Sequence, residues 1–201
     1  MTRRLLQLYL GLVLYGASMA LMVRASLGLD PWDVLHEGLT RHVPLTFGQV
    51  TIVVGAVVLL GWIPLRQRPG LGTLSNVVVI GLAVDATLAV LPAPAALPMQ
   101  IAFLIGGVAL NAVATAAYIG ARFGPGPRDG LMTGLVARTG RSVRLVRTTI
   151  ELSVLAAGWL LGGTVGVGTV LYALAIGPLV HLLLPLLTVP ESRMAPVPAV
   201  G

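Results

Sequence analysis

Two carboxylates, Asp33 and Asp129, stand 96 residues apart (129 − 33 = 96), each two places after a proline, Pro31 and Pro127. Asp85 and His181 keep the same separation (181 − 85 = 96) inside runs that are otherwise apolar. Arg147 and Glu151 lie four apart in another such run, hence on one helix face. Ionisable side chains within long apolar runs are functional candidates by default. The chemistry open to them is proton binding and charge pairing with a ligand. Asp85 and His181 suit a proton relay. Each falls about four residues from the centre of its run, so straight helices would separate them by roughly 10 Å and a water would have to link them. The competing reading is that each snorkels or bonds backbone within a bundle.

The separation of 96 is a property of the whole chain. Leu27–Leu39 reads LGLDPWDVLHEGL and Phe123–Leu135 reads FGPGPRDGLMTGL. They align without a gap, pairing Gly28 with Gly124, Pro31 with Pro127, Asp33 with Asp129 and Gly38 with Gly134. The register continues through Gly72-Thr73 and Gly168-Thr169 to Ile80-Gly81 and Ile176-Gly177. An ungapped register of this length indicates an internal duplication. Both motifs start as helices do. Asp30 suits an N-cap, Pro31 the first helical position, and Asp33 the third, near the positive helix end. In the second copy Gly126 replaces the capping Asp30. The expectation is two short helices, over 31–41 and 127–138. They are either re-entrant gates, with Pro31, Trp32, Pro127 and Arg128 at the gate and the carboxylates facing a polar cavity, or interfacial helices with Trp32 as headgroup anchor. Arg128 stands where the first copy has Trp32, so that aromatic role is absent from the second.

Composition says what surrounds these motifs. Of 201 residues 56% are hydrophobic and 10% charged, and mean hydropathy is +0.94. Soluble domains carry about a quarter charged residues, so this is a membrane protein. There is no cysteine, which excludes disulfides and thiolate metal sites. Six runs reach the roughly 20 residues that a span needs: near 5–23, 48–65, 72–91, 98–120, 145–163 and 168–187. Arg3-Arg4 with the small residues Ala17 to Ala20 looks like a secretory signal. The first run is nevertheless the image of the fourth, with Gly11 on Gly107, so it is expected to be retained. All 13 basic residues are arginine. With the N-terminus inside, most of the loop arginines fall on the cytoplasmic side and only Arg24 and Arg41 outside, the bias that orients membrane proteins.

The expected fold is therefore all-α. Six transmembrane helices form two three-helix repeats, each with a short polar helix after its first span. The first repeat covers 1–97 and the second 98–189, with a disordered tail over 190–201. An odd number of spans per copy inverts one copy relative to the other, the plan of many secondary transporters. Gly81 and Gly177, near the centres of the third and sixth spans, are expected to mark where those helices cross. For Arg147 and Glu151 two readings stand: a mutual salt bridge, or contact with Asp129 or a ligand across a cytoplasmic-side cavity.

The chain resembles the YczE/YitT-like bacterial integral membrane proteins. The resemblance rests on Leu27-Gly28-x-x-Pro31-Trp32-Asp33-Val34-Leu35, Thr46-x-Gly48, Gly72-Thr73 and Gly81 with Asp85. The second half adds Gly124-x-x-Pro127-x-Asp129, Arg147, Glu151, Gly168-Thr169 and Gly177-Pro178. It implies a multi-pass protein of a family in which a member is linked to production of peptide and polyketide secondary metabolites, with transport as the suspected activity, and brings no catalytic residues. Other chemistries find no support. His36-Glu37 lacks a histidine four residues on, Gly124-Pro125-Gly126-Pro127 lacks the Lys-Ser/Thr of a phosphate loop, and no serine occupies a nucleophile elbow. The expectation is a non-enzyme without metal, cofactor or nucleic-acid partner. It sits in the bacterial inner membrane with both termini cytoplasmic and moves an unknown small molecule, with proton coupling through Asp85, His181 or Glu151. The alternative is a non-transporting partner that stabilises a biosynthetic complex through the arginine-rich loop between Arg122 and Arg144. Membrane lipid is a partner in either case, and self-association stays open.

Overall fold

In the computed structural model, residues 1–189 are described, and the tail expected over 190–201 lies outside them. The described residues are all-α: α1 Thr2–Ala25, α2 Pro31–Thr40, α3 Phe47–Leu60, the short α4 Trp62–Leu65, α5 Leu71–Val90, α6 Leu97–Gly120, α7 Pro127–Thr139, α8 Val143–Leu160 and α9 Val167–Leu187. Among the described residues five segments are long and apolar enough to cross a membrane: α1, Phe47–Leu65, α5, α6 and α9. The expected fifth span, α8, falls short of that standard because Arg144, Arg147 and Glu151 stand within its 18 residues.

In lipid, helices associate through close packing at small residues rather than by escaping water. Here that packing is made twice over, at the offset of 96. A Cβ on Gly11 would lie 2.9 Å from the Tyr118 nitrogen and 3.2 Å from the Ala114 oxygen; one on Gly107 would meet Met22 and the Ser18 oxygen at 2.7 and 3.1 Å. Early residues of α1 thus meet late residues of α6, so the two helices run antiparallel, and each contact is the image of the other. The buried clusters repeat in the same way. Leu8, Leu12 and Ile80 sit in one, and their images Leu104, Val108 and Ile176 in the other.

The loops that enter α2 and α7 are exchanged between repeats. Gly28 and Gly124 take φ +114° and +115°, a left-handed backbone in which only glycine is unstrained. Gly28 abuts Gly166 and Thr169, and Gly124 abuts Gly70 and Thr73. The Gly168 N–H donates to the Leu27 carbonyl at 2.8 Å, and the Gly72 N–H to the Phe123 carbonyl at 2.9 Å. Each polar motif is thereby tied to the start of the other repeat's last helix.

The expected crossing of α5 and α9 at Gly81 and Gly177 is not formed. Gly81 instead lets α5 approach α3, where an added Cβ would lie 2.5 Å from Ile52 and 2.6 Å from the Gly48 oxygen. Gly177 has nothing within 4 Å of a built Cβ. The close helix pair at the centre of the molecule is α1 with α6.

Candidate functional site

The Asp30 carboxylate caps α2, its Oδ1 accepting from the Trp32 and Asp33 N–H groups at 2.8 and 3.0 Å. Pro31 occupies the first turn, where no N–H is needed. This start aims Trp32, Asp33 and His36 into the protein, and all three are buried. α7 begins with Pro127, whose carbonyl accepts from the Trp62 indole N–H at 3.0 Å. Gly130 lies against the same indole. These contacts point Arg128 across the molecule toward α2.

There the second repeat meets the first. The Arg128 guanidinium lies 4.9 Å from the Trp32 ring centroid. It also lies 3.5 Å from Asp30 Oδ1 and 3.8 Å from Asp33 Oδ1. These are ion-pair distances, longer than charge-assisted hydrogen bonds, which run to about 2.9 Å. The His36 Nδ1 is 3.0 Å from Asp33 Oδ1 and 3.4 Å from Thr51 Oγ1. Burial, reinforced by the Arg128 charge, pushes the His36 imidazole down to about 3, so it stays neutral and orients Asp33. Burial pushes the Asp30 and Asp33 carboxyls up to about 6, against the pull of Arg128. Among the described residues, Asp30 Oδ2 and Asp33 Oδ2 are buried without a hydrogen-bond partner.

This cluster forms one wall of a cavity of about 640 Å³. Of the residues singled out in the sequence, Pro31, Trp32, Pro127, Arg128, Asp129, Arg147, Glu151, Gly177 and His181 line it. Asp33 stands behind the lining, paired with Arg128 and His36. Asp129 accepts from the Tyr118 hydroxyl at 3.3 Å. Arg147 and Glu151 share the cavity wall of α8, Arg147 exposed and Glu151 half-buried. Gly81 and Asp85 lie elsewhere. The Asp85 carboxylate caps α3, accepting from the Gly48 N–H at 2.8 Å and from the Thr46 hydroxyl. Asp85 and His181 are therefore images in sequence that occupy different environments.

Sequence reasoning treated Asp30 only as a cap and missed Tyr15, Tyr118 and Tyr172. The tyrosines complete the cavity beside Trp32, with Tyr15 and Tyr118 edge to face at 6.1 Å. Their spacing carries no periodic signal, because three different helices supply them. The Tyr172 hydroxyl donates to Asn111 Oδ1 at 3.0 Å, and Asn111 Nδ2 donates to Ser18 Oγ at 2.9 Å. That chain of bonds joins α9, α6 and α1 behind the cavity. Among the described residues no group of His, Asp and Glu is arranged to hold a metal ion.

Long apolar helices with exposed leucine, isoleucine and valine, set around a charged, aromatic cavity, define a multi-pass helical membrane protein. Comparison with known proteins agrees. The chain belongs to a family of unknown function, DUF6198, whose model matches residues 2–185. It is similar to an uncharacterized protein of Haemophilus influenzae, 40% identical over 177 residues, covering 88% of this chain and 81% of that protein. It is also similar to the uncharacterized membrane protein YczE of Bacillus subtilis, 36% identical over 180 residues (88% and 83%). A third relative, the uncharacterized protein YyaS of Bacillus subtilis, is 26% identical over 181 residues (88% and 90%). No solved structure matches.

Proposed function

We propose that this protein is a secondary transporter built from two inverted three-helix repeats, coupling movement of a small molecule to protons. The carrying observation is that Trp32 and Arg128, images at the offset of 96, stack on one another at the cavity wall. A residue can touch its own image only beside the axis relating the repeats. An in-plane axis of this kind places the ligand site near the bilayer midplane, as in other inverted-repeat transporters. On this reading α8 also crosses, as the fifth of six spans. Its Glu151 faces the cavity rather than lipid, as intramembrane charge must. Both termini then lie in the cytoplasm, the orientation the arginine bias favours for a protein of the inner membrane.

Coupling follows from the cluster. When Asp30 and Asp33 are ionised they hold Arg128 in place. A proton taken up by the pair loosens the guanidinium and frees it to move or to meet a ligand. Coupling residues are thus Asp30 and Asp33, with Glu151 and His181 on the cavity wall; Asp85, engaged at the start of α3, is not among them. The test uses proteoliposomes carrying an internal pH dye and a pH gradient, challenged with a panel of small molecules. At least one compound should dissipate the gradient through the native protein and fail to do so through Asp33→Asn. Dissipation that is the same in Asp33→Asn, Glu151→Gln and His181→Gln would defeat the coupling.

A second reading is a docking role for the arginine-rich loop, favoured by the exposure of Arg141 between α7 and α8 and of Arg144 in the first turn of α8. A protein partner captured by the native chain and lost on Arg141→Ala/Arg144→Ala, in a protein without flux, supports it.

A further inference from the structure

The duplication makes the two repeats directly comparable, and they differ in how their second and third long helices pack. In the first repeat α3 packs against α5. Gly48, Gly55 and Gly81 make that possible, with Gly48 and Gly81 in backbone contact and Gly55 against Val77. At the offset of 96 these positions become Arg144, Glu151 and Gly177 in the second repeat. Two of the three glycines have become long charged side chains. α8 and α9 form no packed pair, α8 being held by α2 and α7, and α9 by α6. Gly177 is left exposed beside open space.

The cavity reaches this gap. Glu151, Leu152, Leu155 of α8 and Gly177, Val180, Leu184 of α9 all line it. Leu152 is 59% exposed, so the gap opens onto the surface that faces the hydrocarbon. An opening at that level, rimmed by leucine and valine, admits an apolar body directly from the bilayer.

The inner end of the cavity has a different chemistry. Asp30 and Asp129 line it with Arg128, Asp33 stands behind, and Glu151 and Arg147 lie on the α8 wall; when all are ionised, four carboxylates face two guanidiniums (2 − 4 = −2). Tyr15, Trp32, Tyr118 and Tyr172 supply four aromatic rings. Aromatic faces with net negative charge in a desolvated site attract organic cations. Asp30 is 1% exposed and its Oδ2 is an acceptor without a partner among the described residues.

We propose that the cavity takes a lipophilic cation, an apolar molecule bearing one positive charge, which enters sideways from the membrane between α8 and α9. This deepens the transporter reading and rests on the same cavity, but it can be tested without any flux.

The measurement is equilibrium binding of tetraphenylphosphonium to the full chain in lipid nanodiscs. Tetraphenylborate, of matching shape and opposite charge, and tetramethylammonium, of matching charge without an apolar body, are the comparison probes. Tetraphenylphosphonium should bind, and the other two should bind at least tenfold more weakly, roughly the difference one lost favourable contact makes. Glu151→Gln should weaken the cation roughly tenfold. Gly177→Leu fills the gap without meeting a neighbour and should slow the cation's association. Gly106→Leu adds the same bulk to α6, also in open space and away from the cavity, and should leave association unchanged. Equal binding of tetraphenylborate or tetramethylammonium overturns the ligand class. Association unaffected by Gly177→Leu overturns the lateral route. A dimer that Gly177→Leu breaks, with no cation bound by the native chain, overturns both and assigns the gap to a second copy. Cation binding without gradient-driven flux leaves the inference standing and removes the transporter reading instead.

Discussion

Arg128 lies over the ring of Trp32, its guanidinium carbon 4.9 Å from the centroid, and the two residues are each other's image in the duplicated sequence. On the proposed repeat, one position occurs twice and the two copies are complementary: an aromatic face in one, a planar cation in the other. The same cation meets Asp30 and Asp33. Removing one partner of a buried ion pair leaves the other charge uncompensated, at a cost of about 3–5 kcal/mol. Asp30 and Asp33 are buried but Arg128 is 30% exposed, so Arg128→Gln should destabilise the protein by up to about 3 kcal/mol, the lower end of that range. Arg128→Gln/Asp33→Asn should recover part of the loss, because the second change removes one orphaned charge. Thermal unfolding in detergent measures both. A double variant no more stable than Arg128→Gln would show that the pairing contributes little.

The raised carboxyl values give the cluster a pH dependence of known sign. The pair is protonated below about 6 and ionised above it, so the ion pair to Arg128 strengthens as pH rises. Trp32 reports on this directly once Trp62 and Trp159 are replaced by Phe. Its fluorescence should titrate with a midpoint near 6, and Asp33→Asn should shift or flatten the curve. A flat response from pH 4 to 8 in the Trp32-only protein would contradict the coupling of carboxylates to guanidinium.

Asp85 and His181 should separate in their effects. Asp85 caps α3 through the Gly48 N–H and the Thr46 hydroxyl, and loss of a cap costs about 0.5–2 kcal/mol. Asp85→Ala should lower thermal stability by that order and leave ligand binding in the cavity unchanged. His181→Ala should change binding with little effect on stability, since its side chain is exposed to the cavity mouth. The reverse pattern would place the working group in the first repeat.

Much of this was legible in the sequence, for a physical reason. Helix starts are local events, so Asp30-Pro31 and Pro127 announced α2 and α7 within a residue or two. The offset of 96 named equivalent positions, which is why Gly11 and Gly107 were already paired. What the offset does not carry is contact between repeats. Gly81 and Gly177 are images by sequence, but Gly81 faces Gly48 whereas the image of Gly48 is Arg144, so the α5–α9 crossing expected there could not form. Arg128, counted with the cytoplasmic arginines, reaches Asp30 because its side chain spans the gap between two helices that sequence spacing treats as unrelated. The tyrosines were missed for the same reason.

The exchanged loops provide a matched pair of substitutions. Gly28 and Gly124 share a left-handed backbone and a close approach to the other repeat's last helix. Gly28→Ala and Gly124→Ala should each destabilise by about 1–3 kcal/mol, the scale of backbone strain at such positions. Gly140→Ala, also at positive φ but with nothing within 4 Å, should cost less than either. Comparable unfolding temperatures for all three would mean that the loops are not clamped between repeats.

The inverted relation of the repeats is tested most directly by labelling from one side of the membrane. The chain has no cysteine, so a single introduced one is the only target. His42 and Arg138 are images (138 − 42 = 96), and both are exposed, one beyond the end of α2 and the other in the last turn of α7. A membrane-impermeant maleimide added to right-side-out cells should modify His42→Cys and spare Arg138→Cys, and inside-out vesicles should reverse the pattern. Modification of both from the same side would contradict the inverted repeat.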